Sequence, residues 1–158
     1  MVDIHKSVDN LFQKNKHLLE IFECKDEFSD TQSFCDHYGY KIEDSCNAIL
    51  IKSKKPEQFY ALFCVLGVDR LDVNHKGKEV LKSKKLSFAS REEAEEITGQ
   101  IYGGISPLGL PQTIKIYVDK NVMNRDKVFI GGGNRVSKFF LSPETLVDLT
   151  NASVEDLT

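Results

Sequence analysis

The sequence contains no apolar run approaching the roughly 20 residues that a membrane span needs. Its opening, Met1-Val-Asp-Ile-His-Lys, also has no apolar core of a secretory leader. Nothing in it addresses the chain to a membrane or out of the cytoplasm, so a cytoplasmic protein is expected. The four cysteines, Cys24, Cys35, Cys46 and Cys64, form no Cys-x-x-Cys pair. They are expected as reduced thiols that pack as small hydrophobes. His5, His17, His37 and His75 show no ligand spacing, and the proximity of Cys35 to His37 is too little for a metal site. No phosphate-binding loop with its lysine is present, and no G-x-G-x-x-G stands before a helix. A kinase or a dinucleotide-dependent dehydrogenase is therefore disfavoured. No Ser-His-Asp or Cys-His set can be assembled. Ser106 lies in Gly-Ile-Ser-Pro, not in a G-x-S-x-G elbow, and Cys46 and Cys64 fall inside apolar runs that raise a thiol's pKa. An enzyme made from this chain would work through positioned backbone amides and its substrate's own groups, with neither metal nor cofactor.

What is present suits a soluble domain. At 158 residues and 41% hydrophobic content, the chain can bury one proper core. Its net charge is only −3, but residues 51–91 carry ten Lys and Arg against four Asp and Glu, while both flanks are acidic. That basic middle, with Lys52, Lys54, Lys55, Lys76 and Lys78, suits local contact with a polyanion such as nucleic acid; the ordinary alternative is a solvated lysine face.

Apolar spacings of three and four predict an amphipathic helix over residues 8–23, and Asp30 and Gly39 bracket a second. Residues 1–40 thus read as a helical lead-in to one domain over 1–158. Residues 47–52 and 59–66 read as a β-hairpin, 73–83 as a helix, and 86–89 as a brief strand. Ser90-Arg-Glu-Glu93 is a capping-box signature for a helix ending at Gly99. Strands follow at 114–118, 127–130 and 138–141. Ser142-Pro143-Glu144 opens a last helix. Strands and helices mingle without βαβ alternation. The expected fold class is α+β, a mixed, mostly antiparallel sheet or small barrel surrounded by helices.

Two glycine clusters punctuate this pattern, Gly103-Gly104-Ile-Ser106-Pro107-Leu-Gly109 and Gly131-Gly132-Gly133-Asn-Arg135. The first joins residues that permit φ > 0 with one that fixes φ, giving a stiff loop fit to present amides to an anion or carbonyl. The second reads either as a hairpin turn or as a bare backbone wall for a ligand, with Arg135 near a phosphate.

The run from Leu86 through Ser-Phe-Ala-Ser-Arg-Glu-Glu to Thr98-Gly99 and on to Gly109 resembles the central signature of the YbaK/prolyl-tRNA-synthetase editing-domain family. Asp69-Arg-Leu-Asp72, Val118-Asp119, Gly131–Gly133 and Leu141-Ser-Pro-Glu144 extend the likeness over roughly residues 40–150. The resemblance implies a freestanding aminoacyl-tRNA deacylase that hydrolyses the ester of a mischarged tRNA. It implies that the loop matching Gly103-x-x-x-Pro107 holds the ester carbonyl on amide donors while the 2′-hydroxyl of the terminal adenosine assists water. Gly103, Gly104, Ser106, Pro107 and Asn47 are then the catalytic candidates. Gly109, Gly131, Gly132, Gly133, Asp72 and Arg135 are the substrate-binding ones, Asp72 having an alternative as a helix N-cap. The lysines of the basic middle would meet the tRNA, and a synthetase is a further possible partner. The chain departs from the family at Asn47, which stands where many members have lysine; Lys52, five residues on, points to the opposite strand face. The rival reading is a non-catalytic module that binds tRNA or a synthetase.

Overall fold

In the computed structural model, which describes residues 2–158, the chain begins with helix α1, Lys6–Lys14. His5 caps it by accepting from the Ser7 amide, and Val8 and Phe12 are its buried residues. The helix expected over 8–23 stops there, because the Asn15 side chain donates to the Leu11 carbonyl at 2.8 Å and turns the chain. Strand β1, Glu20–Glu23, replaces its second half. Its Ile-Phe pair fits helical spacing and strand pairing alike, and long-range backbone pairing decides between them. The lead-in is therefore not wholly helical. Helix α2, Thr31–Tyr38, has the expected caps. Asp30 accepts from the Ser33 amide, and Gly39 takes the left-handed conformation at φ 79°.

Strands β2, Cys46–Lys55, and β3, Phe59–Leu66, form the antiparallel hairpin, with Asn47 opposite Val65 and Lys52 opposite Tyr60. The helix expected over 73–83 is reduced to a wide turn at Val73–Gly77 and the short α3, Lys78–Leu81, ended by Lys82 at φ 51°. Strand β4 spans Lys85–Phe88. Helix α4, Arg91–Thr98, opens with a complete capping box between Ser90 and Glu93. Strands β5, Lys115–Asp119, β6, Val128–Gly131, and β7, Ser137–Leu141, are followed by α5, Pro143–Thr150. A short strand β8, Ser153–Glu155, had no apolar pattern to announce it; it is held by parallel pairing to β5.

The strands make two sheets, a mixed one of order β4-β2-β3-β5-β8 and an antiparallel one of order β1-β7-β6, so the fold is α+β with no single closed barrel among the described residues. A parallel bridge from Ser45 to Phe129 joins them. Alternation on β3 sends Leu62, Cys64 and Leu66 into the main core with Phe139, Leu141 and Leu146. Ala61, Phe63 and Val65 go to a second cluster with Leu71, Leu81 and Leu86. All four cysteines are buried free thiols. No helix is long and apolar enough to cross a membrane among the described residues.

Two features of this frame position the site. Strand β4 reaches only to Phe88, opposite Ile51, and its ladder closes with the Ala89 amide donating to the Leu50 carbonyl at 3.0 Å. The edge of β2 from Cys46 to Ile49 is left uncovered by β4. Alternation in an antiparallel ladder turns the peptide groups of Ala48 the same way as those of Leu50, toward that gap. Helix α4 closes over the gap, tied to the hairpin through Glu93, which accepts from Lys52 Nζ at 2.9 Å and from the Tyr60 hydroxyl.

Those two contacts, Tyr60 foremost, hold the Glu93 carboxyl down to about 2 from an ordinary 4.5. A depressed carboxyl stabilises the fold fully above its ordinary value, and that contribution is lost as pH falls through the folded one. Chemical denaturation between pH 4.5 and 2 should show wild type losing stability more steeply than Glu93→Gln. Equal slopes would remove this ion pair from the acid response.

Candidate functional site

The uncovered β2 edge forms one wall of a cleft of about 430 Å³. The segment Ser29–Thr31 at the start of α2 faces it, Phe88, Ala89 and Ala94 close one side, and Tyr102–Ile105 close the other. Gly131 and Lys138 lie at its base. A second cleft of about 730 Å³ lies elsewhere, lined by Leu110, Pro111, Ile116 and Leu149 among others. The smaller cleft is the better candidate, because both glycine clusters meet there.

They meet backbone to backbone. The Gly133 amide donates to the Gly104 carbonyl at 2.6 Å, and the Ile101 amide donates to the Gly133 carbonyl at 3.0 Å. A Cβ on Gly104 would overlap the Asn134 carbonyl, and one on Gly131 would overlap the carbonyls of Gly104 and Ile105. Neither position has room for a side chain unless the two loops part. From the other side Gln100, only 2% exposed, templates the first loop. Its Oε1 accepts from the Ser106 amide at 2.7 Å, and its Nε2 donates to the Leu108 carbonyl at 2.9 Å and to Ser7 Oγ at 3.1 Å.

With the Gly104 amide donating to the Ile101 carbonyl, two cleft-wall amides of this loop remain, those of Gly103 and Ile105. Neither has an acceptor among the described residues. Asn47 adds neutral donors. Its Oδ1 accepts from both Thr31 Oγ1 and Ser45 Oγ at 3.1 Å, which fixes the amide and leaves its NH₂ without a partner among the described residues. Three residues lining the cleft, Gly103, Ile105 and Asn47, thus carry N–H groups without an internal acceptor among the described residues, a set that suits an oxygen gaining negative charge.

The other expected site residues are dispersed. Ser106 is fully buried, its Oγ accepting from the Leu108 amide at 3.1 Å, so it braces the loop from within. Pro107 and Gly109 line the larger cleft. Gly132 and Gly133 stand behind the wall, packed on Ser137 and His5. Arg135 is committed to Asp26, with Nε 3.0 Å from Oδ1, and it covers Gly103. Asp72 is away from the cleft and caps the Val73–Gly77 turn, accepting from the His75 amide.

Among the lysines, Lys52 is paired to Glu93 and Lys76 to Asp156, while Lys78 is half-buried. Lys54 and Lys55 are exposed, joined by Lys84 and Lys85 where β2 and β4 end together. Sequence reasoning missed Gln100, Asn134 and Lys138. Lys138 shares a strand face with Phe140, so a charge on an apolar stripe was its signal; Gln100 and Asn134 had none.

The sequence matches the model of the aminoacyl-tRNA editing domain over residues 26–149. The chain belongs to that family. It is 28% identical over 76 residues to the Enterococcus faecalis protein named "Putative Cys-tRNA(Pro)/Cys-tRNA(Cys) deacylase EbsC", covering 48% of this chain and 46% of that one. It is 33% identical over 136 residues to a proline–tRNA ligase of Treponema denticola, covering 82% of this chain but 22% of the ligase. The chain therefore matches less than half the length of either relative. A crystal structure described as "a putative trans-editing enzyme for prolyl tRNA synthetase" has the same fold, with a TM-score of 0.84, 24% identity and 99% coverage of both chains.

Gln100→Ala would orphan the Ser106 amide and the Leu108 carbonyl together, at a cost of about 1–3 kcal/mol for each buried group left unpaired. Its urea midpoint should fall accordingly, and an unchanged midpoint would mean the loop is held by other contacts. Gly104→Ala should destabilise by a further amount, about 1–3 kcal/mol or more, because backbone must yield to the new methyl.

Proposed function

We propose that this editing domain is an aminoacyl-tRNA deacylase that hydrolyses the ester of a mischarged tRNA. The observation that carries the reading is the pair of loop amides, Gly103 and Ile105, without an acceptor among the described residues and in residues that line one cleft with Asn47. An aminoacyl ester is already activated, so the protein needs only to orient it and stabilise the tetrahedral oxyanion. Water adds to the ester carbonyl carbon, the loop amides carry the developing charge, and the bond to the ribose 3′-oxygen breaks. The water's proton leaves with the ribose. In this reading the neighbouring 2′-hydroxyl of the terminal ribose positions the water.

The exposed lysines support the tRNA partner. Lys55 is five residues beyond Leu50 on β2, about 17 Å along the strand at ~3.3 Å per residue. An extended single-stranded 3′ end entering the cleft would lead back toward Lys54, Lys55, Lys84 and Lys85, where a phosphate backbone meets cation. Lys52 and Lys76 contribute less to that path, since each is already paired.

The test is amino-acid release from a panel of mischarged tRNAs carrying Pro, Ala, Cys, Ser and Thr. Release from at least one is expected; tRNA binding with no release from any would reinstate the non-catalytic module. Gly103→Val drives its side chain into Arg135 and should lower kcat about 10- to 100-fold with tRNA binding retained. Asn47→Ala should cost about tenfold in kcat/KM. Full activity in both variants would put the oxyanion site elsewhere.

A further inference from the structure

Lys138 is the one buried basic side chain among the described residues, 7% exposed, and it reaches the base of the cleft. Its Cα pairs across the ladder with Gly131, which also lines the cleft. The stem crosses the ring of Phe34, 4.9 Å from Nζ to the centroid, and Nζ donates to the Ser29 carbonyl at 2.9 Å. No ion pair among the described residues includes it. Asp30 and Arg135 are its charged surroundings, and the thiols of Cys24 and Cys35 complete them. Burial outweighs the rest and pushes the ammonium below the usual lysine value.

An ammonium has three donors, and this one spends a single donor on a carbonyl. Holding it out of water without a carboxylate is costly, and a well-packed apolar side chain over Phe34 would serve the core at least as well. The retained lysine is intelligible if a ligand supplies the missing acceptor. The ligand's reacting end is close by, since Ser29, which holds Nζ through its carbonyl, also contacts the Gly103 carbonyl through Oγ at 3.5 Å. A side-chain oxygen on the β-carbon of an aminoacyl group stands about 3–4 Å from its ester carbonyl carbon. Ser29, Gly103, Ile105 and Lys138 all line the one cleft, so an ester held at the loop carries such an oxygen within the cleft that Lys138 also lines. The substrate's α-ammonium cannot occupy the same place, because like charges repel.

We infer that Lys138 determines specificity in this cleft, its Nζ donating to a side-chain oxygen of the aminoacyl group, so that esters of hydroxyl- or carboxylate-bearing amino acids are preferred over purely aliphatic ones. This inference rests on the deacylase reading and adds to it the class of amino acid removed. A site built to hydrogen-bond a substrate oxygen rejects the analogue that lacks it, because its own donor is then left unpaired.

The experiment compares kcat/KM for seryl, threonyl, aspartyl and alanyl esters of one tRNA, using wild type, Lys138→Met and Lys138→Gln. Wild type should favour at least one oxygen-bearing ester over the alanyl ester. In Lys138→Met that favoured ester should lose about 10- to 100-fold while the alanyl ester changes less than about threefold. Lys138→Gln, which keeps a donor, should recover part of the loss. Lys138→Met should also melt no lower than wild type, since it removes a buried charge. An equal fall across all esters, or a preference unmoved by either variant, would overturn the assignment and make Lys138 a structural strut. A wild type that releases no amino acid from any ester would overturn the deacylase reading itself, a different and separable result.

Discussion

The two glycine loops touch through their main chains, and the cleft depends on that contact. Gly104 and Gly131 stand where a single methyl would strike a carbonyl of the opposing loop, and short hydrogen bonds join Gly133 to Gly104 and to Ile101. Main-chain contact this close fixes the loops more tightly than interdigitated side chains would, since there is no rotamer to adjust. Behind it, Gln100 satisfies the amide of Ser106 and the carbonyl of Leu108 in a place water does not reach. The amides of Gly103 and Ile105, without an acceptor among the described residues, are therefore held on a fixed frame, as the preorganised stabilisation in the deacylase reading requires.

Local chemistry carried most of the fold into view. The capping box at Ser90 and Glu93, the Asp30 and Gly39 caps of α2, and the Ser142-Pro143 start of α5 are all decided by neighbours within four residues. Sequence alone can read such signals. Where pairing partners lie far apart in the chain, it could not. Glu20–Glu23 became a strand because Ser137–Phe140 offered it a ladder, and Ser153–Glu155 because β5 had a free edge. Both segments are too short or too exposed for periodicity to mark them.

The site was legible as a pair of glycine loops and less so as a set of side chains. Motif membership placed Ser106, Pro107 and Gly109 beside the chemistry, yet the loop turns so sharply that only Gly103 to Ile105 reach the cleft. Asp72 was a substrate-binding candidate with an alternative as an N-cap, and the structure shows the cap, while Arg135, expected near a phosphate, pairs with Asp26. Charge on an exposed loop has many possible partners, and only the folded geometry selects one. Lys138 carried a signal, a charge on an apolar strand face, but its partners belong to α2 and the loop before it, and only the fold brings them together.

The open edge of β2 gives the cleft a particular kind of durability. Part of its wall comes from Ala48 on the strand and from Gly103 and Ile105 on the loop, and every residue type except proline carries the same amide. Drift in the sequence can therefore remodel side chains around the cleft without erasing its donors, provided the glycines that let the loops meet are kept. A side chain that lines the cleft without serving as one of those donors, such as Lys138 in the specificity reading, can then vary and retune what is accepted. On the deacylase reading, such a surface would assign the reaction to main chain and the choice of substrate to side chains, so that the second could change without loss of the first.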